Sequence, residues 1–296
     1  MSVGAFFGNV SFLMRYSYTI CGLRLQLDTE REIWQEPYAE LFSSAEAEAD
    51  VRLQLRAVPE IVEPVGIRCR SNAEHPVWRS GSAVSRCSWD AFRPKMHFRM
   101  DYRLDVPDTF VCSVREEYWR WATRPKYLWP GVMLNTILLH HRGLIFHASY
   151  IVSNGRAILF TAPSRTGKST QAELWRKFRN AHVVNGDKAG VTLRGQPMAH
   201  GVPFSGTSGI CENVSAPLAG IVVLSQAKEN TVHRLGPSQA VAALCPNVFV
   251  DQAIAEEWAL ALQLLLDVAA SVSVYALACT PDVRAVETLE QALETK

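Results

Sequence analysis

The sequence predicts an α/β protein with a β-rich beginning, on three observations. Residues 16–28, 51–56 and 95–104 alternate apolar and polar side chains with a period of two. An apolar run at 157–161 feeds a short loop that opens into an amphipathic, helix-like run. From there to residue 296, short strand patterns alternate with helix patterns. A chain of 296 residues can bury one large core or two modest ones. The reading divides it into 1–130, a β-rich portion suited to recognising a substrate, and 131–296, the portion built around the loop.

In the β-rich portion, Leu23, Leu25 and Leu27 alternate with Arg24, Gln26 and Asp28 after a Cys21-Gly22 turn, as a half-buried strand requires. Prolines 59, 64, 76 and 94 punctuate the stretch between the second and third alternating runs. Between 78 and 120 tryptophan and arginine are dense, a mixture that could stack bases. Core and sheet-edge packing accounts for it more simply, since no nucleic-acid-binding motif accompanies it. Residues 130–141 are expected to be one helix, ended by Arg142-Gly143. Strands at 144–152 and 157–161 then flank Asn154-Gly155, a tight-turn pair whose members both tolerate positive φ.

Beyond the loop, Leu174, Trp175 and Phe178 are expected to line the buried face of a helix, with Gln171, Glu173 and Lys177 facing water. Strands are expected at 182–185, 191–194, 198–202, 221–225, 232–235 and 271–277. Helices are expected at 238–244, 251–269 and 281–293, the second capped by Asp251.

Thirty basic and 29 acidic residues give a formal charge of +1, so no global field draws the protein to nucleic acid or to anionic lipid. Neither is expected as a partner; a homo-oligomer is left open. Seven cysteines without a C-x-x-C pair favour buried thiols in a reducing compartment over a disulfide framework or a zinc site. Residues 1–10 lack a basic stretch leading into an apolar one, and no apolar run reaches membrane-spanning length. The expected location is cytoplasmic.

The chemistry concentrates in Ala162-Pro163-Ser164-Arg165-Thr166-Gly167-Lys168-Ser169-Thr170. This stretch has the phosphate-binding spacing G-x-x-x-x-G-K-[ST], with Ala162 for the first glycine. In such a loop successive backbone N–H groups wrap the phosphates and the helix N-terminus adds partial positive charge. Lys168 would clamp the terminal phosphates, Ser169 would offer its hydroxyl to Mg²⁺, and Thr170 would stand beside it. Downstream, Asp187 ends a short strand, where α/β sheets place ligands. It can orient or deprotonate an acceptor hydroxyl or hold Mg²⁺; after Asn185-Gly186 it could equally be a turn residue. His147 is either a phosphate or acceptor contact or a core histidine. Phe204, Ser205, Gly206 and Thr207 form either an acceptor-binding loop or an ordinary Gly-rich turn.

These residues resemble the HPr serine kinase/phosphorylase and ATP-dependent phosphoenolpyruvate carboxykinase superfamily. The nearest likeness is to its small bacterial HPr-kinase-like members, some of which accompany peptide-modification pathways. His147 lies fifteen residues before Ala162 with a hairpin between them, the loop follows, and Val184-Asn185-Gly186-Asp187 takes the place of the acidic strand end. Gly201-Val202-Pro203-Phe204-Ser205-Gly206-Thr207-Ser208 is similar to a G-x-P-[WF]-x-G-[TS] segment of the small members. The resemblance implies a P-loop α/β fold with a largely antiparallel or mixed sheet and flanking helices. It also implies ATP and Mg²⁺ as cofactors, Ser169 and Asp187 as metal ligands, and Asp187, Lys168 and His147 as catalytic residues. The activity it implies is transfer of the γ-phosphoryl group to a hydroxyl, such as serine in a peptide or small protein. Two departures stand out: Gly186 where the family has a first aspartate, and Arg165 where it has glycine. The lost carboxylate favours the alternative of a nucleotide-binding regulatory or accessory module without turnover.

Overall fold

A computed structural model of the chain describes residues 14–34, 36–45, 48–69, 75–89, 95–206 and 209–294. Residues 1–10, considered for a leader, and Thr207 and Ser208 lie outside these. The chain divides into two units, Met1–Met133 and Leu134–Lys296. Its class is α/β with mixed sheets.

The first unit is one eight-stranded sheet with short helices. In chain order its elements are β1 (Met14–Ile20), β2 (Leu23–Thr29), α1 (Pro37–Glu40), β3 (Val51–Val58), β4 (Ile67–Cys69) and β5 (Val77–Ser80). They continue with β6 (Ala83–Trp89), β7 (Met96–Arg103), β8 (Val106–Arg115), α2 (Trp119–Ala122) and α3 (Pro125–Gly131). The strand order is β1-β2-β3-β8-β7-β6-β5-β4, with β3 parallel to both neighbours. The alternation in β2 does what its period requires, since Leu23, Leu25 and Leu27 are all buried. Cys21 and Gly22 both take positive φ in the turn before it.

The second unit contains α4 (Leu134–His140), β9 (Gly143–Ser153), β10 (Arg156–Thr161), α5 (Lys168–Arg179), β11 (His182–Asn185) and β12 (Lys188–Thr192). It continues with β13 (Met198–His200), β14 (Ser215–Gln226), β15 (Thr231–Arg234), α6 (Pro237–Leu244), α7 (Ala255–Ser271), β16 (Ser273–Cys279) and α8 (Val283–Glu294). Two long strands organise it. The first half of β9 pairs with β12, and its second half pairs with β10 and β11. The start of β14 pairs antiparallel with β13, and the rest runs parallel to β10 and β16. The sheet is therefore mixed, and β10, which feeds the loop, lies between β9 and β14.

Apolar clusters form on the two faces of this sheet. One joins Phe146, Tyr150 and Leu159 to Leu244 of α6 and Leu264 and Val268 of α7. The other joins Ile151, Ile158 and Phe160 to Trp175 of α5 and Leu289 of α8. Each large side chain so buried contributes about 1.5–3 kcal/mol. A bidentate pair, Arg179 to Glu290, ties α5 to α8, with Nε to Oε1 at 2.7 Å and Nη2 to Oε2 at 2.6 Å.

Four local expectations are corrected. The run 130–141 is two helices, because Pro130 closes α3 and Met133 then turns with φ of 49° before α4 begins. Helix α7 starts at Ala255, so Asp251 is not its cap; its Oδ1 instead accepts from Ala253 N–H at 2.8 Å in the preceding turn. Phe178 is 37% exposed, with Lys177 over its ring. Gln171, expected to face water, is 3% exposed and packs inward beside Ala172 and Trp175. The buried residues of α5 are Lys168, Gln171, Ala172 and Trp175, so its contact face is centred differently from the one the apolar spacing suggests.

Candidate functional site

The site grows out of strand register. Thr161, the last residue of β10, pairs with Ala148, and its hydroxyl donates to the His147 carbonyl at 2.9 Å. On the other side of β9, Lys188 pairs with His147, and Ala148 N–H donates to the Asp187 carbonyl at 2.9 Å. His147 therefore stands between the start of the loop and the end of β11. A cavity of about 260 Å³ opens there. It is lined by His147, Asp187 and Gly186 from one side and by Ser164, Arg165, Gly167, Lys168, Ser169 and Thr170 from the other.

Lys168 is 7% exposed, and its ammonium donates to the carbonyls of Ala162 at 2.9 Å and Pro163 at 3.3 Å. Those two residues thus hold the lysine rather than line the cavity. Burial lowers the Lys168 pKa from its ordinary value, opposed by the charge of Asp187. Helix α5 makes its first backbone bond from Gln171 N–H to Gly167 C=O at 2.9 Å, so the amides of its first turn have no carbonyl of the helix to donate to. Gly167 has φ of 121°, a conformation that glycine adopts readily. Arg165 has φ of 66°, a left-handed conformation that is strained for a residue with a Cβ.

Asp187 is held from several directions. Its Oδ1 lies 3.2 Å from His147 Nε2, and its Oδ2 accepts from the Lys188 ammonium. Burial pushes the Asp187 carboxyl up, but the Lys188 hydrogen bond and the charges of Lys188, His147 and Lys168 more than offset it, leaving the pKa below the ordinary range. The His147 pKa is lowered by burial first and by the Lys168 charge second, against the opposing pull of Asp187. At neutral pH the site thus presents an ionised carboxylate beside a neutral imidazole.

Three residues that the sequence reading passed over or ranked low hold this arrangement. Asn185 is 0% exposed; its Oδ1 accepts from the N–H groups of Asp187 and Lys188, both at 3.0 Å, and its Nδ2 donates to the Phe204 carbonyl at 3.1 Å. This one amide fixes the turn that aims Asp187 and ties it to the Gly-rich segment. An asparagine preceding a turn was the available signal, because its side chain readily bonds the backbone two residues on. The Lys188 ammonium lies 5.8 Å from the Phe204 ring centre and 5.5 Å from that of Phe249, both within cation–π range. Phe249 is brought in by its own backbone, whose N–H donates to Ile145 C=O at 2.9 Å. Nothing local in the sequence connects Phe249 with the site.

Gly206 of the Gly-rich segment touches Asp187 so closely that a Cβ there would lie 2.7 Å from the aspartate Cγ. Gly206 is therefore against Asp187, Phe204 is tied to its neighbours Asn185 and Lys188, Ser205 stands between the two, and Thr207 is outside the described residues. Thr166 faces a neighbouring cavity instead. For a polyphosphate the donor set fits: free helix amides, two cations from the loop and an imidazole. For Mg²⁺ the described residues hold no cluster of three or more acidic, histidine or cysteine ligands; the cavity offers the Asp187 carboxylate on one side and the Ser169 hydroxyl on the other, which suits only an ion that keeps most of its water.

The sequence profile of the SynChlorMet cassette protein ScmC family matches residues 131–294, more than half of the chain and all of the second unit but its last two residues. The chain belongs to the ScmC family. No curated protein matches it. Among solved structures, this ScmC-family chain is similar to the HPr(Ser) kinase/phosphatase from Coxiella burnetii, at 11% identity and a TM-score of 0.30, over 50% of this chain and 94% of that one. A likeness of that size says nothing of activity. Among the described residues of the ScmC-family protein, no helix is long and apolar enough to cross a membrane.

Proposed function

We propose that this ScmC-family protein is an ATP-dependent kinase that transfers the γ-phosphoryl group to a hydroxyl, serine in a peptide or small protein. The observation that carries the reading is the convergence of Lys168, Ser169, Asp187 and His147 on one cavity at the N-terminus of α5. Phosphoryl transfer asks for charge neutralisation and an oriented nucleophile, with little covalent work by the protein. The loop amides and Lys168 hold the terminal phosphates. Mg²⁺, where bound by Ser169 and Asp187, supplies further neutralisation of phosphate charge. Asp187 accepts a hydrogen bond from the acceptor hydroxyl. As a P–O bond forms to that oxygen and the β–γ bridging P–O bond breaks, Asp187 takes the hydroxyl proton and ADP leaves with the electron pair. The depressed pKa of Asp187 makes it an orienting group first and a proton acceptor late in the step. Gly206 lies against Asp187, so the segment 204–206 borders the place of the acceptor.

A second reading, a nucleotide-binding module without turnover, draws on the pairing of Asp187 with Lys188, which occupies one carboxylate oxygen. One experiment separates them: the full chain is incubated with γ-labelled ATP, Mg²⁺ and serine peptides, alongside Lys168→Ala and Asp187→Asn. Lys168→Ala should weaken nucleotide binding, whereas Asp187→Asn should spare binding and lower transfer. Binding without label transfer by the unaltered chain would establish the module. Normal transfer by Asp187→Asn would remove the catalytic role of Asp187.

A further inference from the structure

The first unit has a cavity of its own, of about 350 Å³, where the chain leaving β2 meets α2. Glu32, Ile33 and Trp34 line it from one side, and Trp119, Arg120 and Thr123 from the other. The two sides are tied together from behind. Trp119 Nε1 donates to the Glu32 carbonyl at 2.9 Å, Trp34 N–H reaches the Thr123 hydroxyl at 3.4 Å, and that hydroxyl donates to the Trp119 carbonyl at 2.8 Å. The fold thus fixes the backbone of Trp34 while leaving the residue 39% exposed. Tryptophan and arginine are the side chains on which binding energy concentrates at protein interfaces.

The charges at this cavity differ from those around it. Arg31 pairs with Glu116 at 2.7 Å, Arg99 with Asp101 at 2.9 Å and Arg115 with Glu117 at 3.2 Å, so these arginines of the unit have their carboxylates. Among the described residues, Arg120 and Arg124 pair with none. The Arg124 guanidinium instead lies 5.0 Å from the Trp34 ring centre. A guanidinium over an indole gives its face to the ring and keeps its N–H edge for a planar acceptor such as a carboxylate. Arg120 stands on the cavity wall itself, and Glu32, the acidic residue of that wall, does not pair with it.

We propose that this cavity and its two arginines bind an acidic peptide segment, with an apolar side chain entering against Trp34 and neighbouring carboxylates meeting Arg120 and Arg124. The proposal does not depend on the kinase reading. Charge complementarity selects the occupant. Residues 1–13 of the chain contain no aspartate or glutamate, so they bring nothing to the two guanidinium groups. A nucleic acid carries an unbroken row of phosphates, which Glu32 on the wall would repel, whereas a peptide can space its carboxylates away from that side chain.

The test is fluorescence anisotropy on the full chain with the labelled peptide Asp-Glu-Leu-Phe-Glu-Asp, its charge-reversed counterpart Lys-Arg-Leu-Phe-Arg-Lys, and oligothymidylate. The acidic peptide should bind at least about tenfold more tightly than either of the others, and more weakly as salt rises, because exposed charges are screened. Arg120 and Arg124 are both exposed, so Arg120→Glu combined with Arg124→Glu leaves the core untouched. With an unchanged circular dichroism spectrum, that pair of changes should lower the affinity for the acidic peptide at least about tenfold, and Trp34→Ala should lower it as well. No binding of the acidic peptide, or equal affinity for its charge-reversed counterpart, would overturn the proposal. Unchanged affinity in the folded double variant would also overturn it, and Arg124→Gln decides the same point should the double variant not fold. Tighter binding of oligothymidylate would assign the surface to nucleic acid instead. Self-association that the charge reversals abolish, with no peptide bound, would assign it to a second copy of the chain.

Discussion

Replacing Gly206 by alanine tests the packing that aims Asp187. The added Cβ would lie 2.7 Å from Asp187 Cγ, 2.8 Å from its Cβ and 3.0 Å from Oδ2. Carbon atoms in contact sit about 3.5–4.0 Å apart, so the side chain or the turn must give way by about 0.8 Å. The turn is held by Asn185 through the Phe204 carbonyl, and the same amide holds the backbone of Asp187, so neither side yields freely. Overpacking of this kind costs about 1–3 kcal/mol, and the half-open site puts it towards the lower figure. The displacement also carries the carboxylate off His147 and Lys188. Since Asp187 raises the His147 pKa against burial and Lys168, the imidazole should titrate still lower in Gly206→Ala.

Denaturant unfolding and NMR titration of the His147 ring read the two effects. Asp187→Gly removes both close carbon atoms, so in that background the added Cβ should cost nothing further. If the proposed kinase reading holds, Gly206→Ala should also slow transfer by about ten- to a hundredfold, as misplacement by about 1 Å does. Unchanged stability together with an unchanged His147 titration would refute the argument.

Three further predictions concern the fold. His200 is buried between the Thr192 and Ser215 hydroxyls, at 2.8 and 2.7 Å, and burial lowers its pKa to about 4, with Arg194 assisting. The unfolded chain therefore binds the proton first, and stability should fall as pH drops from about 6.5 towards 4, by about 3 kcal/mol over the window. Comparing the pH dependence of unfolding with that of His200→Asn isolates this contribution, and identical slopes would show that His200 does not make it. At Gly201 an added Cβ would run into the Glu212 backbone carbonyl, so Gly201→Ala should cost more than about 3 kcal/mol in a denaturant melt. Gly155→Ala, with open space but φ of 71°, should cost only about 1–2 kcal/mol.

The features legible in the sequence were those that short-range chemistry decides. Asn154-Gly155 takes positive φ at both residues, as the dipeptide demands, and the strands on either side form the expected hairpin. The loop falls between β10 and α5, because a β-branched and apolar run ends where a glycine and a lysine begin a helix. The face that α5 buries was another matter. Leu174, Trp175 and Phe178 satisfy a helical spacing, yet the helix buries Trp175 with Ala172 and Gln171 and leaves Phe178 at the rim, 37% exposed. Periodicity gives the width of an apolar stripe, whereas the neighbouring elements choose its centre.

The sequence by itself determined the local grammar of this protein: where strands alternate, where the turns reverse, and where a lysine and two hydroxyls open a helix. Only the tertiary structure decided that Asn185 binds the Phe204 carbonyl, that Lys188 lies near Phe249 sixty-one positions on, and that Gln171 faces inward on a cavity wall. The division comes from range. Backbone preference and hydrogen bonding within a turn act between neighbours in the chain, while the contacts that build the site are fixed by which strands pair and in what register.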